Sequence, residues 1–264
     1  MKKYTFNALI ISILSVIFLS SCSKSTNSTP TPQTCYLNSI TNAKGNVLQK
    51  LVYDANNRLI SDINDSTGVS LAYIYNAQNT VDKITVVYKI GTKVYTFTTT
   101  FTYDATGKAN KAVTVFNGAT YQTNVFTYTG TQLSQILSTD ANNETENVRF
   151  EYTGENISKA YAKFDNEKEY LYYEATKFDT NKSLYPEAYK ALMMGLMGLV
   201  DDYFYLNKNN TLAEKFYEDD GSIYTTADKT YEYNSNSQPT KLTATLTESG
   251  LKSNVVKVYQ YSCK

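Results

Sequence analysis

The chain has 264 residues, 25 basic against 25 acidic side chains, no His, no Trp and 25 Tyr. Without His it lacks the commonest general base, the commonest metal ligand and any Ser-His or Cys-His nucleophile pair. A zero charge balance, with Arg only at Arg58 and Arg149, leaves no basic footprint for nucleic acid.

Residues 1–21 read as a signal peptide. Lys2 and Lys3 form a positive start, and Phe6 to Leu19 is an apolar run too short for a comfortable membrane span. Leu19, Ser20, Ser21 and Cys22 follow, an order that resembles a bacterial lipobox. The resemblance implies cleavage before Cys22 and acylation of that residue, which makes the membrane an expected partner through a lipid anchor. Residues 22–34 are rich in Ser, Thr and Pro and read as a tether. Extended, that stretch reaches roughly 35 Å, at about 3.1 Å per residue. Residues 35–264 read as one β domain.

That domain is built on a repeat. An aromatic residue or Leu, any residue, Tyr and a turn residue recur at Leu51 to Asp54, Tyr73 to Asn76, Phe101 to Asp104, Phe126 to Thr129, Phe150 to Thr153, Tyr231 to Asn234 and Tyr259 to Ser262. A second unit pairs two apolar residues three apart, at Leu48 to Leu51, Val81 to Ile84, Ala109 to Ala112, Leu133 to Ile136 and Ile157 to Ala160, with Pro239 to Leu242 as a variant. Aromatic spacing of two is strand spacing, and the intervening Asp, Asn, Gly, Thr and Ser favour turns. Each unit is therefore a β-hairpin, and neighbours must pair to bury a shared apolar face. Val94 to Tyr103 shows this most clearly, with Tyr95, Phe97, Phe101 and Tyr103 on one face and Thr96, Thr98, Thr100 and Thr102 on the other. The expected fold is all-β: an antiparallel meander of about sixteen strands, strongly curved or barrel-like.

The pattern lapses between Asn166 and Asn210. Residues 185–200 read as an inserted apolar helix, with Pro186 in its first turn and a stripe of Ala188, Leu192, Leu196 and Leu199. Met193, Met194 and Met197 lie on it. One reading makes them an adaptable lid or ligand contact. The other, preferred, makes the helix a cover for the open side of the sheet. Residues 203–207 are expected to return to strand.

Little chemistry is available to such a chain. No Gly-rich phosphate loop is present. Asp62, Asn64, Ser66 and Gly68 resemble the start of a calcium loop, and Asp140, Asn142 and Glu144 do so more weakly, but turn chemistry accounts for both. Asp65-Ser66-Thr67 resembles a short O-glycosylation motif. No metal site, cofactor or catalytic residue is expected, and the chain reads as a non-enzyme.

The Tyr-turn units at Tyr53-Asp54, Tyr75-Asn76 and Tyr103-Asp104 resemble the tyrosine-aspartate repeat of secreted shell and toxin-cage proteins. Tyr128-Thr129 and Tyr152-Thr153 depart from it. The whole layout is similar to envelope lipoproteins of the Bacteroidota, a family of unknown function described as porin-like in fold. The shared features are the lipobox, the tether, the Tyr-turn hairpins and one apolar helix followed by Leu206-Asn207 and Asn209-Asn210. The resemblance implies shape and compartment, not activity. The leading expectation is a non-catalytic envelope lipoprotein, in the outer membrane, that binds a protein, glycan or other ligand. A glycan- or lipid-binding component of an uptake system is the alternative, and a carboxylate-dependent hydrolase the second. Surface-exposed lipoproteins of that group often carry acidic residues after the lipidated Cys. Ser23-Lys24-Ser25 stands here instead, which implies a periplasm-facing protein.

Cys35 and Cys263 are the candidate disulfide pair in an oxidising envelope, the alternative being two independent thiols. Pairing requires Cα atoms within about 7 Å. Non-reducing digestion should release one linked peptide holding both residues; two separate peptides would refute the link.

Overall fold

A computed structural model describes residues 34–65, 67–197 and 203–263. The expected signal peptide, Cys22, most of the tether, Ser66 and the end of the helix at 198–200 lie outside the described residues.

The meander closes on itself. Its strands are β1 (Cys35–Asn42), β2 (Val47–Tyr53), β3 (Leu59–Asn64), β4 (Val69–Tyr75), β5 (Val81–Ile90), β6 (Lys93–Tyr103), β7 (Ala109–Phe116) and β8 (Ala119–Thr129). The second half holds β9 (Gln132–Asp140), β10 (Thr145–Thr153), β11 (Asn156–Phe164), β12 (Tyr170–Lys182), β13 (Asn209–Tyr217), β14 (Ile223–Tyr233), β15 (Pro239–Glu248) and β16 (Leu251–Cys263). Each pairs antiparallel with its sequence neighbours, and β1 pairs with β16 to complete a sixteen-strand barrel. Cys35 and Cys263 stand opposite each other at that seam and are joined by a disulfide.

The Tyr-turn repeat has a defined physical job at one end of the barrel. At Asp54, Asn76, Asp104 and Asn234 the side-chain Oδ1 accepts the backbone N–H groups two and four residues on. The turn then passes through a left-handed residue, Asn57 (φ 61°), Asn79 (φ 62°), Gly107 (φ 83°) or Ser237 (φ 58°), which closes a hairpin with the correct twist. The preceding tyrosine points inward and binds across the sheet. Tyr53, Tyr75, Tyr152 and Tyr261 donate their hydroxyls to the carbonyls of Leu37, Leu59, Leu133 and Pro239 at 2.8 Å. Tyr103 does the same to Val81. Several of these acceptors are the first residues of the second repeat unit, so one half of the repeat anchors the other.

Faces alternate along the strands between bulges that reset the register. On β6, Phe97, Thr99 and Phe101 are buried while Thr100 and Thr102 are exposed. The outward side carries Arg149 and Glu151 on β10, Lys159 and Lys163 on β11, and Lys241, Thr243 and Thr245 on β15. Exposed apolar side chains stand among them: Val52 lies opposite Ser61 and Ile74 opposite Lys83, while Val125 and Leu137 face each other. A membrane barrel is the reverse, apolar outside and polar inside, and Arg or Lys at a bilayer midplane costs about 2–4 kcal/mol each. The described outer wall mixes charged, Thr and apolar side chains, and the packed apolar core lies on the lumen side.

Sixteen strands enclose more space than their own side chains fill. The β12–β13 connection fills it. Helix α1 (Ala188–Gly195) enters from the end that holds the Tyr turns and both described chain ends. It is shorter than the expected 185–200. Pro186 lies before it, its carbonyl accepting the Tyr189 N–H, and Leu196 leaves helical geometry (φ −124°, ψ 29°). Residues 203–206 form a 3₁₀ turn rather than the expected strand. The cause is packing: Tyr203 is buried against Phe150 and Tyr173, while Tyr205 packs on Tyr185 and Tyr189.

The helix end is received by a polar belt on the inner wall. Thr114 Oγ1 donates to the Gly195 carbonyl (3.2 Å), Asn124 Nδ2 to the Met194 carbonyl (2.8 Å) and Gln122 Nε2 to the Met197 carbonyl (2.7 Å). The Met194 and Gly195 carbonyls belong to the last turn of α1, where a helix leaves its carbonyls to outside donors, and a buried carbonyl without one costs about 1–3 kcal/mol. A methyl group on Gly195 would meet Phe101 Cζ at 2.7 Å and Thr99 Cγ2 at 2.9 Å. Gly195→Ala should therefore lower stability by about 1–3 kcal/mol through overpacking, read as a fall in thermal midpoint; an unchanged midpoint would show that the plug has slack.

Candidate functional site

The helix enters one mouth of the barrel without filling it. Two recesses flank residues 182–194 there, one of about 790 Å³ and one of about 730 Å³. The larger lies between the start of α1 and the Tyr turns of β1 to β8, with Thr34 and Cys35 on its rim. The smaller lies on the side of Leu133, Tyr152 and Asn207. Both share Tyr128, Lys182, Tyr185, Glu187, Lys190 and Met194.

The wall of the larger recess is mostly carbon. Tyr53, Tyr75, Tyr103 and Tyr261 line it, and their hydroxyls are already committed to backbone carbonyls. Burial pushes these phenols up, to about 12 at Tyr75, so they stay neutral at any physiological pH. Leu37, Leu59, Val81, Leu184 and Ala191 supply aliphatic surface. The charges sit at the rim. Arg58 lies over the Tyr75 ring at 4.7 Å and pairs with Asp54 at 2.6 Å. Lys190 pairs with Glu187 at 3.0 Å. Lys182 is exposed at the end of β12 and has no ion pair among the described residues.

Beneath the recess a buried cluster ties the helix to the wall. The Tyr189 hydroxyl donates to Asp62 Oδ2 at 2.6 Å, and Gln49 Nε2 donates to the same oxygen at 2.8 Å. Asp62 is only 2% exposed. Burial raises its carboxyl pKa above the ordinary value, against the pull of those two donors, and Asp62 Oδ1 has no partner. A second buried group lies on the far wall, where Glu214 pairs with Lys229 (5% and 11% side-chain exposure) and accepts the Tyr173 hydroxyl at 3.3 Å.

The residues singled out in the sequence divide. Met193 and Met197 are fully buried in the core and do not reach the recesses, which corrects their expected part in a lid or ligand contact. The helix is fixed by its end carbonyls, so the face carrying them turns into the lumen. Met194 lines both recesses. Cys35 lines the larger one beside its bond to Cys263. Asp62 points into the barrel and Asp140 Oδ1 accepts the N–H groups of Asn142 and Glu144, so neither calcium-like spacing gathers its oxygens on one side of a loop. Lys182 and the Asp62–Tyr189 contact were not legible: one is an isolated lysine, and the other joins residues far apart in the chain.

Two solved structures are similar to this chain. One is a porin-like protein from Bacteroides uniformis ATCC 8492, at 16% identity, covering 82% of this chain and 90% of that one, with a TM-score of 0.47. The other is a porin-like protein from Bacteroides vulgatus ATCC 8482, at 12% identity, covering 86% and 99%, with a TM-score of 0.41. No family model matches the chain, and no curated protein does. Neither likeness says anything of a ligand.

The raised Asp62 carboxyl gives a signed prediction. An acid whose folded pKa lies above its unfolded value stabilises the fold when protonated, and that contribution is lost as pH rises through the folded pKa. Asp62→Asn keeps an acceptor for Tyr189 and Gln49 without the charge. Its thermal midpoint should exceed the parent's at pH 8, with the gap narrowing as pH falls toward the acid range; a gap that widens on acidification would refute the assignment.

Proposed function

We propose that this chain is a non-catalytic, lipid-anchored protein of the cell envelope that holds a small ligand in the larger recess at the plugged mouth. The recess itself carries the reading. Its volume of about 790 Å³ falls within the range of small-molecule sites, about 300–1,000 Å³. It is lined by carbon with a few charges at the rim, and a disulfide and a tight inner core hold its walls.

The remaining features support the compartment. The lipobox-like run ending at Cys22 would anchor the chain, the disulfide suits an oxidising space, and the charged side chains on the outer wall make a lipid anchor useful rather than redundant. Outer-membrane attachment facing the periplasm is the placement we favour, from Ser23-Lys24-Ser25 after Cys22. The absence of His, and a single carboxylate, Glu187, on the larger recess among the described residues, favour binding over hydrolysis, which in glycosidases takes two carboxylates.

The full chain, released from envelopes and weighed by native mass spectrometry, should carry a non-covalent added mass. Ala191→Trp, which fills the larger recess, should lose it. A chain that carries no added mass, before or after incubation with an envelope extract, would overturn the proposal.

A further inference from the structure

The charges at the larger recess do not balance, and the imbalance names a ligand class. Arg58 is neutralised by Asp54, and Lys190 by Glu187. Lys182 is left as the uncompensated charge on the lining among the described residues, and it stands where the two recesses meet. Below it the wall is Leu37, Leu59, Val81, Ala191 and Met194.

Four of the tyrosine hydroxyls on this wall are already spent. The Tyr53, Tyr75, Tyr103 and Tyr261 hydroxyls serve the sheet, so these rings present carbon to an occupant. Sugar hydroxyls laid against these four rings and against Leu37, Leu59 and Val81 would go unpaired, at about 1–3 kcal/mol for each. A cation would meet Lys182, while the one carboxylate on the lining, Glu187, is already paired with Lys190. Resting on the ligand-binding reading above, the geometry points to a single-chain anionic amphiphile as the occupant, its hydrocarbon in the larger recess and its head group at Lys182. A hydrocarbon body gains from burial against the aliphatic and tyrosine wall, and its anionic head meets Lys182, the lining cation without an ion pair among the described residues. A free fatty acid and a lysophospholipid bearing a terminal phosphate share this chemistry.

Three photoreactive probes with the same long hydrocarbon chain separate the possibilities: the carboxylic acid, the lysophosphatidic acid and the neutral alcohol. Each is added to envelope membranes holding the full chain, cross-linked, and mapped by peptide mass. The acid, the lysophosphatidic acid or both should label peptides covering 34–59 and 182–194 more than the alcohol does, and the stronger of the two identifies the head group. Lys182→Glu should cut that labelling by about ten-fold while leaving the alcohol's unchanged. Ala191→Phe should abolish all labelling at the mouth, with thermal midpoints confirming that both variants fold. Equal labelling by the alcohol, indifferent to Lys182→Glu, would overturn the anionic assignment and leave the binding reading standing. Labelling that survives Ala191→Phe, or none at these peptides from any probe, would overturn the assignment too; the binding reading is judged separately by the added mass.

Discussion

A barrel of this circumference cannot be solvent-free unless something is put inside it, and the polar belt of Thr114, Gln122 and Asn124 is what makes the insertion tolerable. An apolar helix drives itself into an apolar lumen, but its last turn brings carbonyl groups that need donors. The wall provides them from strands β7 and β8, on the side that is otherwise oily. Everything else at the mouth follows. With the C-terminal end of the helix fixed deep inside, its first turn is left at the rim, where residues 182–191 divide the opening into two recesses. The site is thus the space that the plug leaves over, and its shape is set by hydrogen bonds in the lumen below it.

The wall was largely legible in the sequence because it is repetitive. Tyr53-Asp54, Tyr75-Asn76 and Tyr103-Asp104 announce both the strand end and the turn, since the tyrosine needs an inward register and the Asx residue needs two backbone N–H groups to cap. Closure is a different kind of fact. It depends on β1 meeting β16, and only the two terminal cysteines hinted at that meeting.

The plug and the site were less readable, for a physical reason. Gln122 and Asn124 sit at inward positions where the repeat calls for apolar residues, and that lapse was the available signal that something polar must be met inside. The three methionines could not be told apart because the helix is apolar nearly all round; composition says such a helix is covered, but not that Met194 rather than Met193 or Met197 faces a cavity. Asn207 shows the same limit. The sequence places it at the end of a strand, yet it lies past the 3₁₀ turn, buried, with its Oδ1 accepting the Ile157 N–H at 2.6 Å. Lys182 carries meaning only because, among the described residues, Arg58 and Lys190 have ion-pair partners and it has none.

The ring of strands has no natural first member. The β1–β16 contact is an antiparallel ladder like the fifteen others, and the disulfide bridges neighbours that already lie side by side. Where the polypeptide begins is therefore a matter of covalent order, not of architecture. A circularly permuted chain, cut at the tight Asn117-Gly118 hairpin and joined across the old seam, keeps every ladder, the plug and the belt that receives it. Its ends would then emerge at the opposite rim, away from the recesses, and a leash placed there would present the mouth the other way round.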